Sequence, residues 1–166
     1  MGSLEVQDSE EVIELIKRLD TETDFLIREP GEFSLGIDAE KNFISSVIET
    51  EKNILIKATL DGEIVGTLGF TVPTNKRYSH KGQFGVALKK DYWGRGIGKA
   101  LLNTMLQWCK EKKIEKVTLE VDTKNERAIQ MYEKYGFQKE GYLVKDKKMS
   151  DGSYRDTLIM ALLIIE

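Results

Sequence analysis

Three glycines at alternate positions, Gly94, Gly96 and Gly98, stand directly before an apolar run in DYWGRGIGKALL, residues 91–102. Glycine is a poor helix former, yet Leu101, Leu102, Met105 and Cys109 continue at helical spacing to about Lys112. A β-rich stretch from about Gly82 to Leu88 comes just before. The order is therefore strand, bared turn, helix. The first turn of a helix has unpaired N–H groups and a partial positive charge, and glycine lets an anion approach the backbone. A chain built this way must place a strand end and a helix start around one anion-sized space.

Two familiar phosphate loops do not fit. A Walker loop needs glycine five residues before its Gly-Lys pair and a hydroxyl after it; Trp93 and Ala100 occupy those positions. A dinucleotide fingerprint needs glycine or alanine at 99, where Lys99 stands, and belongs to an opening βαβ unit. A nucleotide-binding reading thereby loses its magnesium ligands.

The rest of the chain frames the loop. The pattern predicts a short strand from Leu4 to Val6, a helix from about Ser9 to Leu19, and a second from about Ala39 to Glu49 capped by Asp38. Asp61-Gly62 marks a hairpin between NILIKATL and EIVGTLGFTV. KVTLEVD reads as a strand and NERAIQMYEKYG as a short helix, with Thr123 and Glu126 at capping-box spacing. Two last strands, FQKEGYLVK and YRDTLIMALLII, meet at Asp151-Gly152. The expectation is one α/β (α+β) domain over residues 1–166, with a mixed, mostly antiparallel sheet of about seven strands and helices on both faces.

Composition narrows the function. A net charge of −3 from 25 basic and 28 acidic residues removes the electrostatic footprint of a nucleic-acid binder. The longest apolar run, Leu158 to Ile165, is too short to cross a bilayer, and Val6 stands where a myristoylation motif wants a hydroxyl. One cysteine and one histidine, His80, leave little for disulfide, zinc or Ser-His-Asp chemistry. Cys109 falls on the apolar stripe of its helix and reads as a packing residue. These features predict a reduced, cytoplasmic, metal-independent protein.

The pattern Trp93-Gly94-Arg95-Gly96-Ile97-Gly98 resembles the pyrophosphate loop of the GNAT superfamily of acetyl-CoA-dependent N-acetyltransferases, although that family usually opens the motif with Gln or Arg. A second block, LEVDTKNERAIQMYEKYGF (residues 119–137), resembles the family's other signature: an Asn opening a short helix, a Tyr seven residues on, then Gly-Phe. Its layout is similar to that of ribosomal-protein alanine N-acetyltransferases. The resemblance implies a GNAT-like fold that binds acetyl-CoA through Gly94, Arg95, Gly96, Ile97, Gly98, Lys99 and Ala100, with Leu88, Asn125, Ala128 and Tyr132 as further cofactor contacts, Asn125 on the pantetheine arm and a strand-edge N–H near Leu88 toward the oxyanion. It implies that Tyr132 protonates the leaving thiolate, and that Glu120 is the general base for the amine, with Asp122 the second choice. On residue pattern alone Tyr132 is equally a core aromatic, Asn125 a helix cap and Glu120 a solvated carboxylate.

The implied acceptor is a primary amine, either a small molecule or a peptide N-terminus. It would be recognised by the irregular stretch from Glu22 to Asp38 and the loop from Pro73 to Lys81, with Glu29 and Glu32 as candidate cation ligands. Family members are often homodimers, and the apolar last strand fits an interface as well as it fits a core. A domain that binds acyl-CoA without turnover would share the loop and is the alternative reading.

Overall fold

The computed structural model describes residues 1–164. Seven strands form one sheet: β1 (Gly2–Ser3), β2 (Ile54–Leu60), β3 (Glu63–Thr71), β4 (Lys81–Leu88), β5 (Lys116–Asp122), β6 (Gln138–Lys148) and β7 (Tyr154–Leu163), in the order β1-β2-β3-β4-β5-β7-β6. Every neighbouring pair is antiparallel except β4 and β5. Helices α1 (Ser9–Glu22) and α2 (Ile37–Ile48) cover one face; α3 (Ile97–Glu111) and α4 (Glu126–Lys134) cover the other. The predicted mixed sheet with helices on both faces is what the chain builds.

Strand alternation, switched by a bulge at Val65 opposite Ala58 and Thr59, divides the core. In β3, Ile64 packs with Val12, Leu15, Leu19 and Ile44 beneath α1 and α2, while Val65, Leu68 and Phe70 pack against Leu101, Leu102 and Met105 of α3. Burying a Leu, Val or Ile side chain contributes about 1.5–3 kcal/mol, so both helix layers are firmly seated. The Asp61-Gly62 hairpin forms with both residues in the left-handed region, φ 53° and 80°, as a tight turn between right-twisted strands requires.

Several boundaries differ from the sequence reading. The first strand is Gly2–Ser3; Leu4 adds one N–H bond to the Leu55 carbonyl, and Val6 already starts a 3₁₀ turn. Helix α1 runs three residues further, to Glu22, because no breaker stands at Asp20 or Thr21. Helix α2 starts at Ile37 with Gly36 in the cap position, so Asp38 lies in the first turn, where its charge still favours the helix end. Asn125 caps α4 as its place at the helix start predicts, while Thr123, at capping-box spacing from Glu126, lies outside the helix. β7 ends at Leu163, and Ile165 of the predicted last strand lies outside the described residues.

The feature that makes the site is a defect in the sheet. β4 and β5 pair only at Lys81–Lys116, Gly82–Val117 and Gln83–Thr118, then part. Phe84, the next residue of β4, stacks edge-on with Tyr132 at 5.8 Å and with Phe137 at 6.0 Å. This buried aromatic trio sits where the ladder stops.

Candidate active site

The parted strands open into a cleft of about 610 Å³. Its floor is apolar, with Val86, Ala87, Leu88, Ile97, Ala128 and Met131. Lys99, Lys124, Arg127 and Lys134 surround it against a single lining carboxylate, Glu126. An apolar trough with a cationic surround suits a ligand that carries phosphates at one end.

The glycine loop forms one wall. Gly94 and Gly96 have φ of 78° and 83°, which side-chain-bearing residues adopt only at a cost. Gly96 is the N-cap of α3 and supplies no side-chain cap. The first bond of the helix is Ala100 N–H to the Gly96 carbonyl at 3.0 Å, so the amides of Ile97, Gly98 and Lys99 carry the uncompensated charge of the helix end. A Cβ on Gly98 would meet nothing within 4 Å; the omitted side chain leaves open space at that end.

The opposite wall is α4. The Asn125 side chain accepts a bond from Ala128 N–H at 3.3 Å, and both residues line the cleft. Asp122 fixes this turn: its Oδ1 accepts from Lys124 N–H at 2.9 Å and its carbonyl from Asn125 N–H at 2.9 Å. Tyr132 is buried between Phe84 and Phe137, yet it borders the cleft, and its hydroxyl makes no hydrogen bond to the described residues. Burial alone pushes its phenol up to about 12, so the proton is held firmly at neutral pH.

The register of β4 supplies a further donor. Lys89 N–H bonds the Val65 carbonyl at 2.9 Å, which makes Gly66–Leu88 a pair that exchanges no hydrogen bonds. The Leu88 amide therefore faces the gap left by β5. Its carbonyl is taken by the indole N–H of Trp93 at 2.8 Å, while its N–H points at the cleft.

Of the residues singled out from sequence, Leu88, Gly94, Gly96, Ile97, Gly98, Lys99, Asn125, Ala128 and Tyr132 converge on this cleft. Three stand apart from its lining. Arg95 lies over the Tyr92 ring at 5.1 Å, and the Ala100 N–H is used within α3. Glu120 is exposed on the side of β5 opposite Val117, Leu119 and Val121. Asp122 shares that side but is buried, with Oδ2 bonded by Lys147 Nζ and Arg155 Nη1, each at 3.0 Å. Cys109 is fully buried in the core and burial pushes its thiol up to about 12, as expected of a packing residue.

A third wall comes from Leu19 near the end of α1 and from Thr23, Phe25 and Leu26, which lie in the Glu22–Asp38 stretch expected to recognise the acceptor; sequence reasoning singled out none of the four individually as a site residue. A pouch of about 410 Å³ adjoins there, sharing Thr23, Phe25 and Trp93 with the cleft and bordered by Asp20, Glu22 and Asp24. Glu29 and Glu32 line neither space; Glu32 instead accepts the Glu29 N–H at 2.7 Å. Arg127 was missed as well. Its Nη2 would lie 2.8 Å from a Cβ on Gly94, so α4 and the glycine loop meet there. Among the described residues no cluster of metal-ligating side chains occurs, and no helix is long and apolar enough to cross a membrane.

Known proteins share this fold. The chain is 34% identical over 105 residues to the L-amino acid N-acetyltransferase AaaT of Escherichia coli, covering 63% of this chain and 64% of that protein. It spans between about half and just under two thirds of the curated relatives it matches first. An acetyltransferase of the GNAT family from Streptococcus pneumoniae superposes with a TM-score of 0.94 at 28% identity, covering 98% of both chains. A phosphinothricin acetyltransferase from Sinorhizobium meliloti, solved with acetyl-CoA, has the same fold at 16% identity, with a TM-score of 0.85 over 98% of this chain and 86% of that one. The family model for the acetyltransferase (GNAT) family matches residues 14–137, which takes in the glycine loop, the parted strands and the Asn125–Phe137 block. With that match over most of its length, the chain belongs to the GNAT family of acetyltransferases.

Proposed function

We propose that this protein transfers an acetyl group from acetyl-CoA to a primary amine by direct attack in a ternary complex. The observation that carries the reading is convergence on one cleft of the uncapped α3 N-terminus, the Leu88 N–H and the Tyr132 phenol. The pyrophosphate of the donor would lie on the Ile97–Lys99 amides, and the pantetheine arm would run between β4 and Asn125. The amine nitrogen then attacks the thioester carbonyl, whose oxygen is met by the Leu88 N–H. The C–S bond breaks, the thiolate takes the proton of Tyr132, and the remaining extra proton of the attacking nitrogen is given up to restore the phenol.

The amine arrives as ammonium, with a pKa near 10, and must first lose a proton. Glu120 is the proposed acceptor of that proton, through water. On the same side of β5 the only other carboxylate, Asp122, is held by two cations. No step needs a metal or a covalent enzyme intermediate, and Cys109 is out of reach in the core. A cytoplasmic location and a homodimer go with this reading; sedimentation of the purified chain tests the second.

Thiol release from acetyl-CoA, measured over L-amino acids, aliphatic diamines and peptides with a free N-terminal alanine, tests the proposal. Turnover of at least one class, abolished or strongly reduced in Tyr132→Phe with acetyl-CoA affinity retained, is the expected result. Binding of acetyl-CoA with no thiol release across the panel would overturn it in favour of a non-catalytic acyl-CoA-binding domain.

A further inference from the structure

The side of the cleft away from the glycine loop is held by a set of charges that the reaction does not use. Asp122, at the end of β5, has a side chain with no exposed surface. Its Oδ2 receives both Lys147 Nζ from β6 and Arg155 Nη1 from β7. Each cation then reaches across to the segment after α1. Arg155 Nη2 bonds Asp24 Oδ2 at 2.5 Å, and its guanidinium lies 6.0 Å from the centre of the Phe25 ring. Lys147 Nζ bonds the Phe25 carbonyl at 3.2 Å.

Phe25 is thus gripped at ring and carbonyl, and its neighbour Asp24 is paired. Phe25 borders both the cleft and the adjoining pouch. The segment around it has no regular structure: Thr23 to Gly36 contains no helix or strand, and Ile27 is 83% exposed. Its other ties are Leu26 against the core beneath α1 and α2, Arg28 Nε to Asp20 at 3.0 Å with its guanidinium over the Phe33 ring, and short turns of the segment on itself. A flexible segment that forms a binding wall must lose its freedom somewhere, and ordering it in advance removes that cost from binding.

We propose that Arg155, pivoting on Asp122, is a positioning residue for the acceptor amine: it holds the Thr23–Leu26 wall in its binding form and leaves the donor side untouched. The donor-side residues Gly94 to Lys99 and Ala128 make no contact with this ionic set. Only the backbone of the Lys124–Asn125 turn shares Asp122, through Oδ1 and the main chain. Arg155 is argued to act through Phe25 and Asp24, and it touches no reacting atom. The inference rests on the reading of the cleft as an acetyl-transfer site.

Removing Asp122 would leave Lys147 with no carboxylate partner and Arg155 with Asp24 alone, at a largely buried position, and would risk the fold, so Arg155→Lys and Asp24→Asn are the variants of choice. The Lys variant keeps a charge near Asp122 but cannot hold Asp122 and Asp24 together. Asp24 is largely exposed, so its replacement cuts only the outer link. Two readouts are taken: deuterium exchange of amides 23–36 and 94–100, and kinetics with whichever amine of the panel above the wild type acetylates fastest. In both variants exchange should rise in 23–36 alone. The acceptor KM should increase about tenfold, with acetyl-CoA affinity within about twofold of wild type. Unchanged exchange, an unchanged acceptor KM, or an equal loss of acetyl-CoA affinity each overturns the proposal. If the wild type turns over no amine, the acetyl-transfer reading fails by itself, and the exchange measurement still decides whether Arg155 holds the segment.

Discussion

The two sides of the cleft are built on different principles. The proposed donor side is local: the glycine loop, the start of α3 and the Asn125 turn each draw on residues adjacent in sequence, and their useful groups are backbone amides. The proposed acceptor side is assembled across the chain: Asp24 meets Arg155 from 131 positions away, and Phe25 meets Lys147 from 122. The teaching is that a ligand common to many proteins can be held by helix geometry, whereas a specific ligand needs side chains brought together by the fold.

If the donor side ends in a single proton donor, Tyr132→Phe gives the largest effect. Turnover should fall about 100-fold or more, with acetyl-CoA affinity within about twofold by calorimetry. A basic limb due to Tyr132 should not begin below about pH 10, because burial raises the phenol to about 12. The sign for stability agrees. The folded state favours the protonated phenol, so its contribution is intact below about pH 10 and is lost as pH rises towards 12. Equal turnover by the Tyr132→Phe variant and the wild type would remove the tyrosine from the reaction.

Gly96→Val is next. A β-branched residue at φ 83° costs roughly 1–2 kcal/mol or more through the backbone alone, since a Cβ there would meet nothing within 4 Å. A loss of tenfold or more in acetyl-CoA affinity is expected, with the acceptor KM unmoved. An acceptor effect of the same size would break the separation of the two sides.

Glu120→Gln should lower turnover about tenfold at pH 7 and much less near pH 10, where the amine already arrives neutral. A pH-independent deficit would argue against the base. The smallest effect is at Glu40, a buried residue of α2 whose carboxyl is raised above its ordinary value by burial, partly offset by Arg28. A raised carboxylate pKa means the unfolded chain gives up its proton first, so stability falls as pH rises through the shifted value. Glu40→Gln should flatten that part of the profile and leave Tm at pH 7 equal or slightly higher, by calorimetry.

Much of this could be read from the chain itself. The Asp61-Gly62 hairpin, the start of α3, Asn125 at a helix start and the buried Cys109 stripe all depend on residues within a few positions of one another. One cap was misplaced. Asp38 is a good capping residue, but Gly36 sits where the chain turns into α2, and tertiary placement chose between them. The irregularity of Glu22–Asp38 marked it as a recognition segment, but nothing periodic in it picks out Thr23, Phe25 and Leu26, and no local signal states that β6 and β7 will reach it.

Asp122 gathers the lesson into one residue. From alternation along β5 it looked like a second candidate base beside Glu120, and the fold buried it beneath Lys147 and Arg155 instead. The sequence by itself determined the strand–glycine–helix cradle, because backbone amides at a helix end need only local geometry to attract an anion. The tertiary structure alone decided which strands part, which way the Leu88 amide faces and which charges hold the acceptor wall. Those depend on register and on contacts between residues more than a hundred positions apart, and no local pattern encodes them.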